Sequence, residues 1–289
     1  MTTEKITLPI EFWNEGRTKT LCPEDENGRV LECAYFSSIQ FTGHSKHYPM
    51  PLMYSHQDKK LRLPTIERFM SLGRGTVYEE WMRYDMELCS SWSCCDIPVF
   101  YFVYNTANYF HFIYDTLPYL YTYFEGKKIH PDLKLLMSPA EGKDDLYPFV
   151  WETLELLGIT RDDVIFLKQD VIYNYVLVGS SLTHGGLSTK PPHRFTFDII
   201  NRLTGDYKGP ERVYISRRTW THNKLDNIGT NYTERRRCMN EDQVAQIFSL
   251  YGFEEVFCEN LTMKEKIGIF SSAKYVAGPI GGGMANVLF

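Results

Sequence analysis

Three clusters along the chain have residue types and spacings that can do chemistry. In the run NYFHFIYD, Asn108, His111 and Asp115 fall at i, i+3 and i+7, so a helix through them carries all three on one stripe amid aromatics. An imidazole and a carboxylate four residues apart can touch. The carboxylate can then orient the ring, or either group can take a proton from a hydroxyl. Polar groups on an otherwise apolar segment cost free energy unless they are bonded or used. A hydrogen-bonded trio that merely anchors the helix is the competing reading.

The second cluster is basic. Arg217 and Arg218 follow the apolar run RVYIS, and Arg235, Arg236 and Arg237 precede a helix start. Arginines at a strand's C-terminal end face the crevice of a doubly wound sheet, where guanidinium groups suit bidentate contact with phosphate oxygens. Glu234, Glu241 and Asp242 offer the same arginines ordinary surface ion pairs. The third cluster is GPIGGGMANVLF, in which Gly281, Gly282 and Gly283 follow a short apolar run and open a helix. Such a turn sets backbone N–H groups and the positive helix end around an anion. Its spacing fits neither the dinucleotide fingerprint nor the phosphate loop with its Lys-Ser/Thr pair, so a tight turn is an equally good reading of the glycines alone.

The elements that must position these clusters alternate between strand and helix. IPVFYFVY (97–104) is a continuous apolar run, as expected of a strand buried on both faces. The aromatic segment 106–124 reads as a helix that Pro118 kinks or restarts. Further strands are expected at 133–137, 163–167 and 171–179, with a helix over 144–158 that Gly158 closes. Residues 1 to about 95 read as irregular. A polar break at 180–194, with Pro191-Pro192, divides the chain into an expected N-terminal lobe, 1–190, and a C-terminal lobe, 191–289.

The second lobe repeats the alternation more cleanly. A strand at 212–216 is followed by a long polar loop and a helix that Asn240 and Gln243 cap. Val244, Ile247, Phe248 and Tyr251 give that helix one apolar face, and Gly252 stops it. A strand at 254–258 precedes a helix capped by Thr262 and Glu265, with Met263, Ile267 and Phe270 on one face. The strand 274–278 then leads into the glycine loop. The fold class is α/β, with parallel doubly wound sheets in two Rossmann-like lobes, the second one short.

Bulk properties narrow the function. The chain has 289 residues and a net charge of −5, which argues against a nucleic-acid binder, since phosphate neutralisation wants a basic face. Aromatics reach 15%, a level that suits sugar-facing surfaces and plain cores alike. No run approaches the roughly 18 apolar residues of a membrane span. The N-terminus MTTEKITLPIEFW has an acidic residue and a proline where a signal peptide needs an apolar core, so a cytoplasmic location is expected. The seven cysteines show no metal-type spacing and no metal is expected.

In order and spacing, the motifs together resemble glycosyltransferase family 61. The matching residues are Asn108, His111, Asp115, Leu117 and Pro118, then Arg217 and Arg218, then Arg236, Arg237, Asn240 and Glu241, and finally Gly278, Pro279, Gly281, Gly283 and Asn286. Ile280 stands where family members usually carry histidine. The resemblance covers roughly residues 100 to 289 and implies a two-lobed glycosyltransferase B architecture. It also implies inverting, metal-independent transfer from a UDP-sugar, with xylose favoured and N-acetylglucosamine next. The acceptor is then an oligosaccharide or glycoprotein glycan, and no cofactor is needed beyond the donor itself. On that resemblance Asp115 is the first choice of base and His111 the second, with Asn108 on the substrate. Arg217, Arg218, Arg236, Arg237, Asn240, Gly281, Gly282, Gly283 and Asn286 hold the donor. A non-catalytic nucleotide-sugar or glycan binder is the alternative. A hydride-transfer enzyme ranks well below, because no acidic residue follows the loop to take a ribose.

Overall fold

A computed structural model of the chain describes residues 3–6, 17–22, 31–41, 53–57, 59–62, 86–102, 106–140, 142–179, 181–183, 192–218 and 238–289. They fall into two compact units that interleave along the sequence. The first comprises Met1–Asn105, Pro118–Pro139 and Arg161–Thr196; the second comprises Thr106–Leu117, Ala140–Thr160 and Phe197–Phe289. The Asn108–Asp115 segment, expected with the first 190 residues, therefore clusters with the C-terminal residues.

The stretch that reads as irregular carries eight short strands. They are β1 (Thr3–Ile6), β2 (Arg17–Cys22), β3 (Leu31–Phe36), β4 (Ile39–Phe41), β5 (Met53–Ser55), β6 (Lys60–Arg62), β7 (Met86–Cys89) and β8 (Ser93–Cys95). Six of them have only three or four residues, too short to show a periodicity, and β2 and β3 have six. The later strands follow the sequence closely: β9 (Val99–Tyr101), β10 (Lys134–Met137), β11 (Val164–Phe166), β12 (Val171–Tyr173) and β13 (Val176–Gly179).

In the first unit, β9 to β11 and β13 form a parallel run that two antiparallel strands extend, in the order β11-β10-β9-β13-β3-β2. The expected wholly parallel sheet is thus mixed. A five-stranded sheet, β6-β5-β4-β12-β8, packs on it through Ile39, Phe41, Met53, Val99, Tyr101, Tyr173 and Val178. Phe41 lies nearly parallel to Tyr101, with ring centroids 5.3 Å apart. The helix Leu120–Ile129 also belongs to this unit. A Cβ on its Gly126 would stand 2.7 Å from Leu177 of β13, so the mid-helix glycine, usually worth about 1 kcal/mol against helix, is what lets helix and sheet approach.

The second unit is built on three parallel strands in the order β15-β14-β16: β14 (Arg212–Ile215), β15 (Glu254–Val256) and β16 (Tyr275–Ala277). Helices Glu241–Leu250 and Met263–Ser272 make the crossovers. The second is closed by a full capping box, Thr262 with Glu265, and its Met263, Ile267 and Phe270 are buried. The first departs from expectation. Asn240 is its N-cap, but the side chain accepts no backbone hydrogen bond and instead meets Gln243 Oε1 at 3.4 Å. Its apolar face is only partly covered. Phe248 stacks on Tyr214 at 4.7 Å, while Ile247 and Tyr251 are 54% and 67% exposed. Gly252 ends the helix at φ 76°, a conformation glycine adopts without strain.

Candidate functional site

The motif segment changes helical type within a few residues. Tyr109–His111 is α-helical, Phe112–Thr116 is π-helical and Leu117–Tyr119 is 3-10. Proline cannot donate a backbone N–H and its ring clashes with the carbonyl four residues back, so Pro118 forces a departure from α geometry. The π turn absorbs it, with Leu117 N–H reaching Phe112 O. Asn108 is the N-cap and its side chain accepts from the His111 N–H at 3.3 Å. Asn108 thus starts the helix, and its side chain is spent on the backbone of His111.

His111 and Asp115 meet at 2.5 Å between Nδ1 and Oδ2. The imidazole is 39% exposed and the carboxylate 1%. A buried carboxylate thus holds an exposed ring. In the neutral ring that donates Nδ1–H to Asp115, the lone pair falls on Nε2.

Tyr109 joins this segment to the glycine loop. Its hydroxyl donates to Asn286 Oδ1 at 2.5 Å. The Asn286 amide donates in turn to Gly283 O at 2.8 Å and to Cys258 Sγ at 3.5 Å. Burial raises the Tyr109 hydroxyl well above its ordinary pKa, and lifts the Cys258 thiol to about 12, so both stay neutral. Asn286 is fully buried and ties the loop to its surroundings.

The loop runs into a 3-10 helix, Gly282–Leu288, rather than an α-helix. Its glycines divide by role. A Cβ on Gly278 would stand 2.8 Å from Ile215 O, and one on Gly283 would stand 3.1 Å from Ile215 Cγ2; both permit close packing on β14. A Cβ on Gly281 would stand 3.0 Å from Arg217 Nη1, so that guanidinium lies against the loop backbone. A Cβ on Gly282 would meet only Tyr109 Cβ, at 4.0 Å.

The two adjacent arginines differ. Arg217 has its N–H anchored by Glu241 Oε1 at 2.6 Å. Glu241 is buried at the start of its helix, and the same oxygen takes Tyr214 OH and Ser216 Oγ, each at 3.3 Å. Arg218 is bidentate on Glu255, at 2.7 and 2.6 Å, and reaches Asp242 at 3.1 Å. That pairing lowers the pKa of Glu255 and raises that of Arg218. Asn240 is exposed beside Gln243 and Cys238. Arg236 and Arg237 lie outside the described residues.

Motif segment, glycine loop and Arg217 stand in one compact unit. A family model, Glycosyltransferase 61, matches residues 109–289, well over half of the chain. The chain belongs to glycosyltransferase family 61. No curated protein matches it. Among the described residues of this family 61 member, no group of three or more His, Cys, Asp and Glu is placed to hold a metal ion, and no helix is long and apolar enough to cross a membrane.

The roles of three residues of this region are not visible in the sequence. Tyr109 looked like one aromatic among many. Glu241 looked like a surface partner for arginine, yet it is the buried anchor of the Arg217 backbone. Lys266 left the clearest signal: it falls at i+3 in the stripe Met263, Ile267, Phe270, where an apolar residue is expected.

Proposed function

We propose that this glycosyltransferase moves a sugar from a UDP-sugar to a hydroxyl of an oligosaccharide or glycoprotein glycan, with inversion and without a metal. The observation that carries the reading is the exposed His111 ring on the buried Asp115 carboxylate, in the unit that also holds the glycine loop and Arg217. His111 is the base and Asp115 its positioning residue, which reverses the order of preference drawn from sequence. Nε2 takes the acceptor's hydroxyl proton as its oxygen attacks the anomeric carbon. The bond from that carbon to the diphosphate breaks on the opposite face. The leaving charge falls to Arg217 and to the backbone N–H groups of Gly281 and Gly282, the kind of preorganised donors that a metal-free site uses. Arg236 and Arg237 are further donor ligands in this scheme, while Arg218 acts through Glu255 and Asp242.

Xylose is the donor of first choice and N-acetylglucosamine the second, on family grounds alone. The two Rossmann-like lobes of glycosyltransferase B belong to the same proposal, with the three-stranded parallel sheet as the donor lobe. A screen of UDP release against the common UDP-sugars, with and without glycan acceptors, tests it. Acceptor-dependent release from one donor is expected. Absence of UDP binding altogether sinks the proposal.

A further inference from the structure

Lys266 is a buried cation without an anion in contact. It lies on the helix Met263–Ser272, is 8% exposed, and among the described residues its ammonium makes no hydrogen bond or ion pair. Nζ lies 4.8 Å from the centroid of the Tyr109 ring. Of the carboxylates around it, two are engaged elsewhere and Glu259 acts on it only through its charge. Glu152 Oε2 accepts the Met263 N–H at 2.6 Å, and Glu265 Oε2 accepts from Thr262 N and Oγ1 at 2.8 and 2.7 Å. An ammonium in this state is held at a desolvation cost unless something compensates it.

Its neighbours are those of the glycine loop. Tyr109 holds Asn286 and lies beneath Gly282, and Cys258 takes the Asn286 amide and lies 3.9 Å from a Cβ on Gly283. Arg217 flanks the loop at Gly281. We propose that Lys266 is a second cation of the loop, beneath Tyr109, and that its charge is completed when the loop binds a diphosphate. This rests on the donor-site reading above and adds a residue that reading does not use. The titratable groups that face Lys266 are Tyr109, Cys258 and Glu259, Glu152 from the helix Pro148–Leu156, and Glu265 on its own helix. Burial outweighs their attraction and lowers the lysine's pKa, so an arriving anion strengthens the charged form.

Calorimetric titration of the whole chain with UDP, uridine and inorganic pyrophosphate tests this on wild type, Lys266→Met and Lys266→Gln. Both variants are expected to weaken UDP and pyrophosphate by about tenfold or more, the worth of one charge-assisted contact, with uridine unchanged. Lys266→Met is also expected to melt above wild type, which separates lost ligand from lost fold. Wild-type affinity for UDP and pyrophosphate in both variants overturns the inference. A Met variant that melts lower and loses uridine as well marks a structural lysine and overturns it too. If wild type binds pyrophosphate through Lys266 yet consumes no UDP-sugar, Lys266 stands and the transfer reading falls. If wild type binds neither UDP nor pyrophosphate, both fall.

Discussion

Tyr109 and His111 sit two residues apart on one short helix, and each pairs with a charge in the opposite way. His111 is exposed and its partner, Asp115, is buried; Tyr109 is half-buried and its partner, Lys266, is buried. The first arrangement presents a lone pair to solvent and fixes its direction. The second stores a positive charge under a loop. A proton-transfer group must be reachable, whereas an anion-binding charge works best where water cannot screen it.

The sharpest way to break that contrast is at His111. His111→Ala should lower kcat by about 10²–10⁴ with UDP affinity unchanged, read by steady-state kinetics and calorimetry. Asp115→Asn should cost nearly as much, because the amide favours the wrong tautomer, and the double variant should cost little more than either alone. Additive losses would mean two independent roles.

Arg217→Ala comes next, with a loss of about 10² in kcat/KM for donor, as when one stabilising donor is removed. Lys266 then probes the buried side through stability. Its pKa lies below the ordinary 10.5 when folded, so between the two values the unfolded chain binds more protons and stability rises with pH. Lys266→Met should therefore gain on the order of 1 kcal/mol at neutral pH, and the gain should shrink as pH rises toward 10.5, in melting curves taken across that range. The smallest effect belongs to Arg218→Ala, less than about threefold in donor affinity, since Glu255 and Asp242 already occupy its guanidinium.

The second unit was legible where local rules decide structure. Periodicity and caps located β14 to β16, the capping box at Thr262 and the stop at Gly252. The contact between His111 and Asp115 followed from their spacing. Most of what was missed depends on distant partners. Nothing local marks β1 or β8 as strands until β7 and β12 pair with them. Likewise, the different fates of Arg217 and Arg218 are set by Glu241 and Glu255, 24 and 37 residues away. Lys266 was readable as a break in an apolar stripe, but its neighbour Tyr109 was not.

The central claim is that an exposed histidine, positioned by a buried carboxylate, activates the acceptor beside a diphosphate site. Acceptor-dependent UDP release by wild type and His111→Ala, with UDP affinity measured on the same samples, tests it most directly. Turnover by wild type, and its loss in the variant at unchanged affinity, is the predicted result. Full turnover by His111→Ala would contradict it.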